Sequence, residues 1–382
     1  MAIYFIAFIL SILLAVLTKY IVDKRLVLLI NVIAILPPAI VAGVRDLSIG
    51  TDISNYGWFN FDAATHFSNL FDYIEYIRLN NKVEMGYSVL NFVVSRFTSS
   101  VNVFLFVLNF LTLLFVVLAL YQLRNKIPIY YGLIIYYLTA WGTSLNVMRQ
   151  SLAAAIVLFA ICMYVKNNKI IPFFLFTLIA ISIHQTAIIA VAVFIIYVLS
   201  SDNIKMIHIV AIAILGFVLY IVLNPNNGYI ITIMRNIPIL GKYYAIFTQH
   251  GLGYISSGGG MSIKSILIQV LPALLALLAL IRYKTKQVTD DGKIIVFSII
   301  MLILTIIFEL ININSGVLAR LGMYFSVMQV ITISFAIYKN KNERLLWGSL
   351  IFIAALFAFI VTLKSGSGEI YPYTSQLLNE IL

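Results

Sequence analysis

Arg149 and Gln150 lie in the first turns of an apolar stretch, SLNVMRQSLAAAIVLFAICMYV (144–165). A guanidinium near the centre of a bilayer costs about 2.5–3.5 kcal/mol on insertion scales. Other unusual residues border apolar runs elsewhere: Arg45, His184, and the group Glu309, Asn312, Asn314 and Arg320. Guanidinium forks bind phosphate oxygens in pairs and stay charged at any working pH. At the start of a helix, Arg149 and Gln150 gain the positive end of its dipole. Several arginines at one lipid interface therefore suit a diphosphate, and an interfacial diphosphate suggests a polyprenyl-diphosphate lipid.

The elements that must position these residues follow from composition. The chain has 382 residues, of which 62% are hydrophobic and 10% charged. A soluble domain of this size would have too little polar surface to present to water. Runs of about 18 or more apolar residues recur from end to end, which predicts an all-α polytopic membrane protein and not a barrel. Approximate spans are 2–22, 26–43, 100–122, 128–143, 147–165, 170–183, 185–200, 206–223, 263–281, 294–313, 317–338 and 345–363, about twelve in a single membrane domain over 1–382. Segments 128–143 and 170–183 are short for a core of about 30 Å. The first run has no basic stretch before it and no small-residue cleavage site after it, so it reads as an uncleaved span. The single cysteine, Cys162, permits neither an intrachain disulfide nor a zinc-type cluster.

Alternate loops carry 15 of the 25 Lys and Arg residues, among them Lys24, Arg25, Arg124, Lys126, Lys166 and Lys169, against five of the 14 acids. The positive-inside rule places those loops in the cytoplasm. It also explains the net charge of +11 without nucleic acid. Both termini then face outwards, with two long outer connections at about 45–99 and 224–262. The apolar second half of the first suits an amphipathic helix on the membrane. Arg45, Arg149, His184, Glu309 and Arg320 all fall at the outer ends of their spans. A lone arginine near a helix end commonly snorkels to the interface, and Glu309 has Arg320 as a nearby partner. Topology does not account for arginines on the side where arginine is under-used.

Six segments carry a more specific signal: VAGVRDLSIGTDISNYGWF (41–59), EMGYSVLN (84–91), NVMRQSLAAAI (146–156), SIHQTAII (182–189), ARLGMYF (319–325) and IYPYT (370–374). In this order they resemble the EpsG-like, Wzy-type polysaccharide polymerases of bacteria, a likeness that spans nearly the whole chain. The resemblance implies a glycosyltransferase of the cytoplasmic (inner) membrane with its active site facing outwards. Such an enzyme joins undecaprenyl-diphosphate-linked oligosaccharide repeat units into exopolysaccharide, capsule or O-antigen. It implies functional roles for Arg45, Asp52, Arg149, Gln150, His184 and Arg320, and a chain-length regulator and a flippase as partners. This sequence has Ile53 after Asp52 where Thr is common, and Thr186 where Ser is frequent after the histidine.

In the implied reaction a sugar hydroxyl attacks the anomeric carbon of the donor and the lipid diphosphate leaves. Arg149 and Arg320, with Arg45 as a third candidate, are the cations for that leaving group. His184 is the first choice as base, because the ordinary imidazole pKa of about 6.5 needs little tuning. Asp52 and Glu84 are the alternatives from the outer loop. Gln150, Glu84 and Glu309 complete the expected binding set. No cofactor is expected, and Asp46, Asp52 and Asp62 match no metal-site spacing; Asp46 and Asp62 read as solvated carboxylates. A flippase or exporter of lipid-linked oligosaccharide would need polar groups at mid-span positions, which are almost entirely apolar here. A glycan ligase would need much the same outer site.

Overall fold

A computed structural model describes residues 1–80, 83–200, 214, 218, 262–286, 291–312, 320–366 and 369–381. Among these residues the regular structure is entirely helical. Eight helices are long and apolar enough to cross a membrane: Ala2–Tyr20, Lys24–Gly43, Val101–Gln122, Met148–Asn167, Ile263–Lys284, Gly292–Ile311, Arg320–Lys339 and Lys341–Lys364. The protein is a multi-pass membrane protein.

Three other expected spans are helices of lesser length: Ile129–Thr139, Ile170–Ile183 and Gln185–Leu199. Eleven residues rise only about 17 Å, so the first does not meet the length of a full crossing. Its shortness has a local cause. The backbone breaks at Ala140 (φ −132°) and resumes as Trp141–Asn146. Likewise Ile170–Ile183 stops where His184 turns extended, at φ −153° and ψ 118°. The expected span 206–223 falls outside the described residues except at 214 and 218, and of the loop 224–262 only Ser262 is described.

The chain divides into two compact units, Met1–Val191 with Thr362–Leu382, and Ala192–Val361. In the first, helices α1 (Ala2–Leu17), α2 (Lys24–Ala34) and α3 (Leu36–Gly43) precede a long connection. That connection is itself helical: α4 (Trp58–His66), α5 (Leu70–Asn80) and α6 (Met85–Ser95) close over a small core of Ala64, Tyr73 and Ile77. There follow α7 (Val101–Gln122), α8 (Ile129–Thr139), α9 (Trp141–Asn146), α10 (Met148–Asn167) and α11 (Ile170–Ile183).

Helix α10 is the centre of this unit and packs on α7 and α11. Its run Ala153-Ala154-Ala155 is buried, and small side chains of this kind let membrane helices approach closely. It ends at Asn168, whose left-handed backbone (φ 52°) closes the last turn. By contrast α1 exposes Ile6, Leu10, Leu13 and Leu17 along one face, the pattern of a helix turned to lipid.

Hydrogen bonds define the two ends of the unit. At one end Tyr121 Oη donates to the Lys24 carbonyl (3.0 Å) and Lys166 Nζ to Gln122 Oε1 (3.1 Å). At the other, Asn102 Nδ2 donates to the carbonyls of Gly43 (2.7 Å) and Arg45 (3.0 Å).

In the second unit Ile263–Lys286 packs on Gly292–Ile311 and on Gln329–Lys339. Gly322 lies against Phe308 so closely that a Cβ there would overlap its side chain. Phe308 and Phe325 stack beside it at 5.2 Å.

Candidate active site

Arg149 is the second residue of α10, as the sequence predicts. Its Nη1 donates to Glu84 Oε2 at 2.7 Å, and the two side chains are 17% and 18% exposed. The guanidinium lies over the Tyr56 ring at 4.1 Å and reaches the Tyr87 ring at 5.5 Å. A salt bridge and two aromatic rings thus offset the desolvation of the cation; each ring is worth about 0.5–2 kcal/mol.

Glu84 stands just before α6 in extended conformation, and its side chain does not cap its own helix. Its other oxygen, Oε1, accepts the Gln185 backbone N–H at 3.2 Å. One carboxylate therefore ties α6 both to the start of α10 and to the turn after His184. The sequence around it allows the approach: a Cβ on Gly86 would stand 2.7 Å from the Ser182 carbonyl oxygen.

His184 is half-buried. Its Nδ1 shares a hydrogen bond of 2.7 Å with Thr186 Oγ1, which also accepts from Gln150 Nε2 at 3.4 Å. Thr186 fills the place where the resemblance expects Ser, and its hydroxyl joins the histidine to α10. For the imidazole to act as base through Nε2, Nδ1 must carry the proton and donate it to Thr186.

The loop 44–57 brings the remaining residues. Gly50 has φ 94°, and a Cβ there would meet the Leu145 carbonyl oxygen at 2.6 Å, so both the turn and the close approach require glycine. Thr51 Oγ1 donates to Asn146 Oδ1 (2.6 Å), as does the Asp52 backbone N–H (3.3 Å). Ile53–Gly57 forms a π-helical turn, a local widening found often at functional sites. It lets Tyr56 Oη reach back to donate to Asp52 Oδ2. Burial, reinforced by the Asp52 charge, holds the Tyr56 phenol well above its ordinary pKa, so it remains a donor.

Arg45 is 1% exposed. Its Nη1 donates to the Ala42 carbonyl (3.0 Å), and its Nη2 to the Leu145 carbonyl (2.9 Å) and Met148 Sδ (3.5 Å). Burial pushes its pKa down to about 10, which leaves it a cation at neutral pH. The C-terminal tail then clamps the same loop. The Asp46 backbone N–H donates to the Thr374 carbonyl (3.1 Å), and Asp46 Oδ1 accepts the Gln376 N–H (2.7 Å). Ser375 Oγ donates to the Val44 carbonyl, and Tyr373 Oη to the Val41 carbonyl (3.0 Å).

The structure thus gathers Arg45, Asp52, Glu84, Arg149, Gln150 and His184 at one end of the first unit. Arg320 and Glu309 lie in the second unit. There Glu309 has Ser326 as a hydrogen-bond partner. Sequence reasoning did not foresee the tyrosine faces under Arg149, the Thr186 bridge or the tail clamp. The motifs NYG, EMGY, HQT and IYPYT held Tyr56, Tyr87, Thr186, Tyr373 and Thr374, with Ser375 and Gln376 just beyond, but no spacing rule links them. Among the described residues no three His, Cys, Asp or Glu side chains come together as a metal site would require.

Taken together, these features define a multi-pass helical membrane protein with a polar, arginine-containing site where a loop and the ends of three helices meet. The EpsG family model matches residues 28–375, and the chain belongs to that family. It is a Wzy-like polymerase family, and membership suggests a polysaccharide polymerase-like function. No curated protein and no solved structure matches the chain.

Proposed function

We propose that this protein is a glycosyltransferase that joins undecaprenyl-diphosphate-linked oligosaccharide repeat units on the outer face of the bacterial cytoplasmic membrane. The observation that carries this reading is the convergence of Arg149, Gln150, His184, Glu84 and Asp52 at one end of the first unit. These residues come from four of the six segments on which the family resemblance rests. Orientation follows from charge. Lys24 and Lys166 mark the opposite end, and the positive-inside rule assigns such an end to the cytoplasm. Ile129–Thr139 taken together with Trp141–Asn146, the other two shorter helices and the expected span 206–223 would bring the crossings to twelve, with both termini outside.

The acceptor sugar hydroxyl forms a bond to the anomeric carbon of the donor. The bond from that carbon to the lipid diphosphate breaks, and its electron pair leaves with the diphosphate. The hydroxyl proton passes to His184, with Asp52 as the alternative base. Arg149 and the positive end of α10 stabilise the charge that develops on the leaving group. A preorganised donor of this type is worth about 3–4 kcal/mol, or about 10²–10³ in rate. Arg45 and Glu84 act as positioning residues, since one is sealed against backbone carbonyls and the other links two elements. Arg320 keeps a role as diphosphate cation on the strength of its motif alone.

The test is reconstitution of the full chain in lipid nanodiscs with a lipid-diphosphate-linked repeat unit. A ladder of glycan lengths, with one lipid diphosphate released per linkage, supports the reading. Intact single units after prolonged incubation, under conditions where the chain binds them, would contradict it.

A further inference from the structure

We infer that Glu84 is an exchangeable stand-in for the substrate's diphosphate, and that its displacement loosens the turn that carries His184. This rests on the proposed role of Arg149 as diphosphate ligand and adds how occupancy is communicated to the base.

The argument starts from charge. Arg149 is mostly buried, and a buried cation without a counter-ion is strongly destabilising. Glu84 supplies the anion at 2.7 Å. Beyond Arg149 its carboxylate holds the Gln185 N–H at 3.2 Å, but it makes no side-chain bond to its own helix, and it sits in extended backbone just ahead of α6. Part of the pair remains open to solvent, at 17% and 18% exposure, so an incoming anion has access. Arg149 also keeps an unused donor, because its buried Nε has no hydrogen-bond partner among the described residues. A diphosphate carries more charge and more acceptor oxygens than one carboxylate, and guanidinium forks favour paired phosphate oxygens. Tyr56 and Tyr87 hold the guanidinium plane while the anion changes.

The consequence lies in the second carboxylate oxygen. Glu84 Oε1 accepts the Gln185 N–H, one residue past His184. A carboxylate that swings away from Arg149 releases this bond too. With the donor absent, the 184–186 turn is held closed. With the diphosphate seated, the turn loses this one tie, and the imidazole can shift toward the acceptor. Such an arrangement ties base placement to donor binding.

The test uses the full chain in nanodiscs with farnesyl diphosphate as probe. Glu84→Gln, which keeps shape and removes charge, should bind the probe about tenfold more tightly, while Arg149→Ala loses binding. In the wild type, the probe should speed amide exchange in the peptide containing Gln185, a readout that needs no variant to fold. Binding lost in Arg149→Ala, but unchanged or weakened in Glu84→Gln, with unaltered exchange at Gln185, would overturn the exchange and leave the diphosphate site standing. Binding undiminished in Arg149→Ala would overturn the underlying role of Arg149, and the inference with it.

Discussion

The carboxylate of Glu84 meets the guanidinium of Arg149 at 2.7 Å across 65 residues of sequence. The pair explains how an arginine is tolerated in the first turn of a membrane helix. Its cost is offset by a counter-ion and by two tyrosine faces. The same carboxylate reaches the backbone beyond His184. The cation expected to bind phosphate and the imidazole expected to take a proton are therefore linked through one side chain.

Arg45 separates structural from substrate-binding arginines. Arg45→Ala leaves the Ala42 and Leu145 carbonyls without these donors, which should lower stability by about 1–3 kcal/mol. Thermal unfolding in detergent measures this. Unchanged stability with lost activity would move Arg45 from the scaffold to the substrate.

Gly86 sets the distance between α6 and the end of α11. Gly86→Ala puts a methyl group 2.7 Å from the Ser182 carbonyl oxygen. Overpacking of this kind costs about 1–3 kcal/mol. Because the shift also moves Glu84, polymer formation in nanodiscs should fall by about 10²-fold, the scale of a 1 Å misplacement. Wild-type activity and stability together would show that the two helices have slack the geometry does not provide.

His184 and Thr186 make distinct predictions in a pH–rate profile. As the base protonates, wild-type kcat/KM should fall on the acid side. His184→Gln should remove that limb and lower the rate by about 10²–10⁴. Thr186→Val should keep the limb and lower the rate, because the ring loses the hydroxyl that orients Nδ1. An acid limb that persists in His184→Gln would transfer the base role to Asp52.

Much of this architecture was legible in the sequence, for physical reasons that also mark where legibility stops. Hydropathy locates long crossings, because an apolar run of about 20 residues has few other uses. It runs through the break at Ala140, where one helix stops and Trp141–Asn146 resumes, whereas the expected boundary at His184 is where the helix ends. The common depth of Arg45, Arg149 and His184 followed from span boundaries alone. Their partners did not, because Glu84 and Tyr56 lie in a connection whose folding no periodicity fixes. Asp46 shows the limit most plainly. It reads as a solvated carboxylate, yet it accepts the Gln376 N–H, 330 residues away. Similarly, the sequence offers Arg45 as a phosphate ligand, and only the folded loop reveals which carbonyls its guanidinium serves.

The most direct measurement is the size distribution and membrane sidedness of lipid-linked glycan in cells lacking this protein, complemented with wild type or with Arg149→Ala at equal membrane abundance. Wild type should restore long polymer. The deletion and Arg149→Ala should leave single repeat units on the outer leaflet. Polymer growth at the wild-type rate with Arg149→Ala would contradict the diphosphate role. In the deletion strain, single units trapped on the inner leaflet would mean a flippase, and full-length polymer retained on its lipid would mean a ligase; either would contradict polymerisation.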